Sequence, residues 1–355
     1  MTTERQILIA GYYGHRNAGD ESILQGMLTS LREKCEGASF VVVSADPDQT
    51  SHDHSVRSID WSDIEGLMDE VERSALVIVG GGGLFHDYWG FDETGFLSER
   101  QGGISEFGSP LIWAHLEGIP CMLYGVGVGP LREETSRSAV RELFELADDV
   151  VVRDAYSKQI LKEIGFDIGR VIVAADPAFL APRISIDGIM PSILNVPRPL
   201  LGVSVRPWSF NCSQEWWESE IAKGLRKYLD SHEGTVLFVP MQDGEMEIEN
   251  DVLVCERIRD LIGKPERVLP IDRSIKPLNR LSIFESCDLV LGMRLHSLIG
   301  AIRGGVPCVG FSYDPKVKAL MEHVRLSDYI ISPERINSTI VFEKLEAVGE
   351  CGDEL

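Results

Sequence analysis

Short apolar runs alternate with helix-like segments along the first half of the chain. Each run is rich in Val, Ile and Leu and ends in glycines or in a polar pair such as Arg-Asp. Continuous apolar strands alternating with helices predict a parallel sheet that is covered on both faces. The strands predicted in this half lie at residues 7–10, 40–44, 76–79, 122–124, 150–152 and 171–174.

The same alternation begins again after a proline-rich stretch. Residues 181–200 contain four prolines without a clear period, which indicates a connection between domains. Further strands are predicted at residues 201–205, 236–239, 289–291 and 306–311.

This pattern predicts an α/β protein with two Rossmann-like, doubly wound parallel-sheet domains that face a cleft. The first domain is predicted at residues 1–180, the connection at 181–200 and the second domain at 201–355, with its last helix free to pack back on the first domain. In such sheets, ligands bind beyond the carboxyl ends of the strands. We therefore expect the binding and catalytic residues just beyond the carboxyl ends of the strands.

Charge and cysteine content limit which ligands and which cellular location we expect for this protein. The 355-residue chain has a formal net charge of −22, so we expect no binding to nucleic acid and require a local basic pocket for any anionic ligand. Its seven cysteines form no CxxC pair, and no apolar run is long enough for a signal peptide or a spanning helix. We predict a cytoplasmic protein, leaving open peripheral membrane contact and the oligomeric state.

A glycine-containing loop follows the first predicted strand. Gly14, Asn17 and Gly19 precede Asp20 and a helix with one apolar face. Backbone N–H groups at a helix start suit an anion or sugar hydroxyls, so these three residues are predicted to form a backbone cradle. Asp20 is a candidate helix N-cap and a candidate catalytic residue. The spacing matches neither the Rossmann dinucleotide motif nor the Walker A motif.

A run of four glycines, Gly80 to Gly83, follows the strand predicted at 76–79. Such a run allows very close approach of the backbone, either to a ligand or to a tightly packed helix. One glycine would serve for a turn, which favours a ligand. Gly82 and Gly83 are therefore added to the predicted cradle.

The segment 292–320 is basic in an otherwise acidic chain. It holds four basic residues and one acid, against 34 and 56 in the whole chain. Arg294, His296 and Lys316 lie there, each just beyond a predicted strand, and such an island suits an anionic ligand. The alternative is that Arg294 pairs with a carboxylate and His296 is a hydrogen-bonded core residue.

Arg153 and Arg206 also lie just beyond predicted strands. They are second-rank candidates for binding the same anion, after Arg294 and Lys316. His296 is the leading catalytic candidate, because a histidine titrates near working pH.

Two segments resemble metal sites only superficially. His52 and His54 flank an aspartate, and alternating acids run from Asp243 to Asp251, but neither segment has the ligand order of a zinc or calcium site. Solvated polar loops are the favoured interpretation of both. We therefore predict no metal and no resident cofactor.

Taken in chain order, these motifs resemble those of the bacterial polysaccharide pyruvyl transferases. His15 and Arg16 depart from the aromatic or small residues expected in the first loop. The resemblance implies a fold like that of the B-type glycosyltransferases, and it places Asp20, Arg153, His296 and Lys316 at active-site positions. The matching pieces are the first glycine loop with Asp20, the glycine run, Arg153-Asp154 with Ser157, Asp176-Pro177 and residues 292–316.

The resemblance also implies a reaction. The pyruvyl unit of phosphoenolpyruvate would move onto two hydroxyls of one sugar, forming a cyclic ketal and releasing phosphate. The acceptor would be a lipid-linked or polymer-bound sugar of a cell-surface polysaccharide, its identity left open, and phosphoenolpyruvate would be a co-substrate. Two alternatives stay open: a glycosyltransferase that uses a nucleotide sugar, and a non-catalytic carbohydrate-binding protein.

Overall fold

The computed structural model describes residues 5–209, 212–269 and 272–350. These residues divide by their contacts into two compact units. Unit one holds the chain as far as His15 and then Asp20–Pro182, whereas unit two holds Arg16–Gly19 and the chain from Arg183 onward. The change of unit at Arg183 lies inside the predicted connection, but the transfer of Arg16–Gly19 to unit two was not predicted.

Unit one is built on a parallel sheet with the order β3-β2-β1-β4-β6-β7-β8, in which β5 pairs with β6. Its strands are β1 Arg5–Ala10, β2 Ala38–Ser44, β3 Arg57–Asp60, β4 Ser74–Gly80, β5 Gly83–Phe85, β6 Cys121–Val128, β7 Asp149–Val152 and β8 Val171–Val173. Its helices are α1 Ala18–Lys34, α2 Pro47–His54, α3 Ile64–Glu72, α4 Ile104–Glu117, α5 Glu134–Leu146 and α6 Ala155–Glu163.

The apolar strands predicted from the sequence form the centre of this unit. Leu8, Val77 and Leu123 on three neighbouring strands are fully buried, and Leu111 and Phe144 of the covering helices are fully buried with them. Strands buried on both faces need such continuous apolar sequence.

Unit two repeats the plan with a parallel sheet in the order β11-β10-β9-β12-β13-β14. Its strands are β9 Leu200–Ser204, β10 Thr235–Phe238, β11 Val268–Leu269, β12 Leu289–Gly292, β13 Cys308–Phe311 and β14 Ile330–Ile331. Its helices are α7 Gln214–Ser231, α8 Asp251–Ile262, α9 Arg280–Phe284, α10 Leu295–Gly304, α11 Pro315–His323 and α12 Ser338–Glu350.

The predicted fold class is therefore confirmed: both units are Rossmann-like and have parallel sheets. Every predicted strand is present, but β3, β5, β11 and β14 were not predicted. Three of these four lie at sheet edges and are short, so they carry little continuous apolar sequence.

The last helix, α12, packs against α7 of unit two. The sequence had left open whether this helix packs on the first domain. Val341 of α12 fills the space above Gly224 of α7, and Lys227 of α7 donates to Ser338 Oγ at 3.2 Å. Among the described residues, no helix is long and apolar enough to cross a membrane.

Candidate active site

Three neighbouring strands of unit two deliver basic residues to one edge of the sheet. β9, β12 and β13 lie side by side, and the chain beyond their carboxyl ends carries Arg206, Arg294 and Lys316 respectively. Because parallel strands all end at the same edge, residues far apart in sequence collect there. The structure thus brings together the candidates predicted in the second half of the chain.

Two of these cations, Arg206 and Lys316, lie against the ring of the buried residue Tyr313. Arg206 Cζ lies 5.6 Å and Lys316 Nζ lies 5.8 Å from the centre of its ring, and Trp208 packs edge-on against it at 4.6 Å. Burial raises the pKa of Tyr313, but the charges of Lys316 and Arg206 outweigh burial, so the pKa lies below its ordinary value. The edge therefore concentrates positive charge in an otherwise acidic chain.

Lys316 is placed by the start of α11. Asp314 caps this helix, since its Oδ1 accepts from the Lys316 backbone N–H at 3.0 Å. The Asp314 Oδ2 atom also lies 3.3 Å from Lys316 Nζ. The Lys316 side chain nevertheless stays 26% exposed, so its ammonium group is both oriented and accessible to a ligand.

His296 is the second residue of α10, directly beyond the end of β12. Its imidazole Nδ1 faces Gly19, and any side chain at position 19 would overlap the ring. Both residues belong to unit two. The close approach explains why position 19 is glycine: it leaves room for the imidazole of His296.

The loop after β10 holds three of the four residues Arg16–Gly19 that belong to unit two. Arg16 donates to both carboxylate oxygens of Asp243 at 3.0 Å. Asn17 forms an antiparallel bridge with Gln242, and the Ala18 N–H donates to the Met241 carbonyl at 2.7 Å. The departure from the family pattern at Arg16 thus supplies an anchor for this segment.

Arg294 has a buried carboxylate partner, which is the alternative considered for it from the sequence. Its Nε and Nη2 atoms donate to the two oxygens of Asp251 at 3.0 and 2.6 Å, and Nη2 also donates to Gln242 at 3.0 Å. Asp251 is fully buried and accepts from the Met241 and Gln242 backbone N–H groups. Arg294 therefore braces the loop after β10, and its role in binding the donor stays a prediction.

The interpretation of residues 243–251 as a solvated acidic loop is wrong at both ends. Asp243 pairs with Arg16 and with the buried Arg280, each at 3.0 Å. Burial raises the pKa of Asp243, but hydrogen bonds from Arg16 and the charge of Arg280 outweigh burial and lower it. Asp251 is fully buried, whereas Glu245 in the middle is exposed.

In unit one, Arg153 stands beyond the end of β7 with its side chain 4% exposed. Its Nη1 atom donates to Asp176 at 3.0 Å, and its Nε atom lies 3.7 Å from Asp154. Burial lowers the pKa of Arg153, but the carboxylates of Asp176, Asp154 and Asp20 outweigh burial and raise it. The structure thus places Arg153 in an acidic cluster with Asp20, and its donor-binding role stays a prediction.

Close helix packing accounts for much of the glycine run. Gly80, Gly81 and Gly82 face Met27, Ile23 and Asp20 respectively, and any Cβ there would overlap them. These three residues share one face of α1, so each glycine makes room for one residue of the helix. A Cβ on Gly83 would lie 3.3 Å from Arg153. The cradle role of Gly82 and Gly83 stays a prediction.

Helix α1 begins at Ala18, so Asp20 lies inside its first turn and is not the N-cap. Asn17 makes the capping contact instead, since its Oδ1 accepts from the Gly19 N–H at 3.0 Å. The Gly14 N–H donates to Glu21 at 2.9 Å. These two N–H groups already have protein acceptors, and the cradle role of Gly14, Asn17 and Gly19 stays a prediction.

The segment from His52 to His54 forms the end of α2 and is not a solvated loop. The His54 side chain is 1% exposed, and its Nε2 lies 2.8 Å from Glu21 Oε2. Among the residues that the structure describes, no group of three or more His, Cys, Asp or Glu side chains could hold a metal ion.

Sequence comparison matches most of the chain, residues 17–315, to the polysaccharide pyruvyl transferases. The chain belongs to this family. Within the matched region lie Asp20, Arg153, Arg206, Arg294 and His296. Gly14 and Lys316 fall just outside it.

Relatives of this chain support the family assignment and the fold. The amylovoran biosynthesis protein AmsJ of Erwinia amylovora is 20% identical, over 99% of this chain and 93% of AmsJ. A Neisseria meningitidis UDP-GlcNAc 2-epimerase bound to UDP-GlcNAc has a TM-score of 0.63 at 12% identity, covering 98% of this chain and 92% of the epimerase. Anabaena Alr3699/HepE in complex with UDP and glucose has a TM-score of 0.56 at 12% identity, covering 98% and 95%. At such low identity, the solved structures show the shared B-type fold alone.

Sequence reasoning missed two residues that the structure makes prominent. Tyr313 is the ring shared by Arg206 and Lys316, and its signal was an aromatic residue directly before the Asp314 cap. Asp251 is the fully buried partner of Arg294, and it lay in a run of acids where nothing distinguished it from its exposed neighbours.

Proposed function

We propose that this pyruvyl transferase moves the pyruvyl group of phosphoenolpyruvate onto two hydroxyls of one sugar in an exopolysaccharide or its lipid-linked precursor. Family membership supports pyruvyl transfer. The relative named for amylovoran biosynthesis supports a polysaccharide acceptor. The reaction would take place in the cytoplasm, with phosphoenolpyruvate as co-substrate and without a resident cofactor.

The cation cluster around Tyr313 is the observation that carries the proposal. Phosphoenolpyruvate has a carboxylate and a phosphate, with a charge of roughly −2.5 to −3 near neutral pH. Such a ligand needs several cations and N–H donors. Arg206 and Lys316 supply two cations at one sheet edge, and α10 begins at the same edge, where the N-terminus of a helix suits an anion.

The chemistry requires two proton transfers. Two C–O bonds form at C2 of phosphoenolpyruvate while its C2–O bond to phosphate breaks. Of the two hydroxyl protons released, one ends on the methylene carbon, which becomes a methyl group, and the other ends on phosphate. A positioned side chain that can accept and donate a proton suits these steps. His296 is proposed to carry one of them, and Asp20 is the second candidate.

Lys316→Ala is expected to weaken binding of phosphoenolpyruvate by about 10- to 150-fold, because a charged hydrogen bond contributes about 1.5–3 kcal/mol. Calorimetric titration with phosphoenolpyruvate measures the effect. Lys318→Ala is the matched control, since that side chain is 62% exposed and lies 3.6 Å from Glu322. Parent-like binding by Lys316→Ala would place the donor elsewhere.

Removal of divalent ions is expected to leave the activity unchanged, because arginine and lysine charges stabilise the phosphate in this proposal. Phosphate release is measured before and after treatment with EDTA. Activity that EDTA abolishes, and that magnesium or manganese restores, would contradict this expectation.

Phosphate release from phosphoenolpyruvate with a panel of polymer-bound and lipid-linked sugars tests the proposal. The product should gain the mass of pyruvate less one water. Phosphoenolpyruvate should also raise the melting temperature of the protein, because a ligand that binds the folded state stabilises it. Protection by UDP-glucose alone would favour the glycosyltransferase, and saccharide binding without transfer to any acceptor would favour the binding protein.

A further inference from the structure

An aromatic loop at residues 86–92 follows β5 in unit one. Asp87 fixes this loop from inside, since its Oδ2 accepts from the Glu133 N–H at 2.8 Å and from Ser136 Oγ at 2.7 Å. The Asp87 N–H in turn donates to the Pro130 carbonyl at 3.2 Å. The buried carboxylate therefore ties the loop to the start of α5.

Trp89 is exposed, whereas the other aromatic residues of the loop are partly buried. Arg132 lies 5.1 Å above the ring of Tyr88, and Phe91 packs edge-on against Phe96 at 5.9 Å. The Trp89 residue is 64% exposed. A large aromatic side chain presented on an anchored loop is a candidate for stacking on a ligand.

A groove of about 560 Å³ begins beside the same loop. Its volume is typical of a site for a small organic molecule. Aromatic and aliphatic side chains form part of the wall, and carboxylates and hydroxyls form the rest. Phe91, Phe96 and Leu143 represent the first kind, and Glu93, Thr135 and Glu142 the second.

We propose that Trp89 and this groove bind a neutral stretch of the saccharide chain that carries the acceptor sugar. This inference rests on the proposed function and names a subsite for its acceptor. A sugar ring has an apolar C–H face that can stack on indole and hydroxyls that can donate to carboxylates, which matches this mixed wall. Glu93 and Glu142 would repel an anionic polymer and would make a costly lining for a lipid tail.

The test is binding to an array of neutral bacterial oligosaccharides of three to eight sugars. Trp89→Ala is expected to lose at least about tenfold in affinity for the oligosaccharides that the parent binds, as an exposed aromatic anchor does. Trp89→Phe should retain most of the binding, and Glu142→Gln should lose several-fold. Trp216→Ala is the matched control, because Trp216 is also exposed, at 42%, but lies on α7 of unit two.

Calorimetry with phosphoenolpyruvate separates this inference from the proposed function. Trp89→Ala should bind phosphoenolpyruvate as the parent does. Absence of any oligosaccharide binding by the parent, or equal binding by Trp89→Ala, would overturn the inference. Vesicles that contain undecaprenyl phosphate provide the other arm, since Trp89-dependent binding to them without saccharide binding would make this a lipid site. Trp89-dependent saccharide binding in a protein that ignores phosphoenolpyruvate would reject the proposed function alone.

Discussion

His296→Ala is expected to fold normally and to lose on the order of 10²–10⁴ in turnover, the usual contribution of a general acid or base. The residue is partly buried at the start of α10, directly beyond β12 of the unit-two sheet. Turnover, melting temperature and phosphoenolpyruvate binding should be measured on the same purified variant. Binding of the donor should be retained, because the proposed role of His296 lies in proton transfer.

Gly19→Ala gives an independent test of the same site. A methyl group there would overlap the imidazole of His296, so turnover should fall although no ionisable group has been removed. A structural core histidine predicts another result: His296→Ala would lower the melting temperature, and the molecules that stay folded would work at nearly the parent rate. That outcome would leave Asp20 as the leading candidate for proton transfer.

Arg294→Ala is expected to destabilise the protein by about 3–5 kcal/mol, because it leaves the carboxylate of Asp251 buried without its partner. The pair is nearly inaccessible, with side chains 9% and 0% exposed, and its shortest N–O distance is 2.6 Å. The urea midpoint should fall accordingly. Activity should fall as well, since the same network supports the loop that holds Asn17.

The double variant Arg294→Met/Asp251→Asn separates stability from donor binding. Asparagine removes the charge of Asp251 but keeps an oxygen that accepts from the Met241 and Gln242 N–H groups. This variant should therefore recover part of the stability lost in Arg294→Ala. A stable Arg294→Ala protein that bound phosphoenolpyruvate weakly would instead restore the direct donor-binding role predicted from the sequence.

Much of the fold follows from local sequence, because each central strand is a continuous apolar run that can be recognised in the sequence. A strand such as β4, whose last four residues are buried, needs continuous apolar residues, and that requirement is visible without any partner. The edge strands β11 and β14 have two residues each. Their pairing depends on the neighbouring strand, so no local pattern predicts them.

The candidate site was only partly predictable for a related reason. Lys316 and Arg206 were found because each follows an apolar strand, and the ends of parallel strands meet at one edge. Arg294 satisfied the same rule, yet its charge is used by Asp251, 43 residues away. Sequence position locates a charge at the edge but does not say which carboxylate neutralises it.

The order of apolar runs and glycine turns by itself determined the two parallel sheets. It also determined the strand ends beyond which His296, Lys316 and Arg206 lie, because a strand buried on both faces needs continuous apolar residues. Only the tertiary structure decided which glycines face protein atoms, which acids are buried, and that Arg16–Gly19 belongs to unit two. These outcomes depend on contacts between residues distant in sequence, such as Gly19 with His296. No local sequence pattern predicts such contacts.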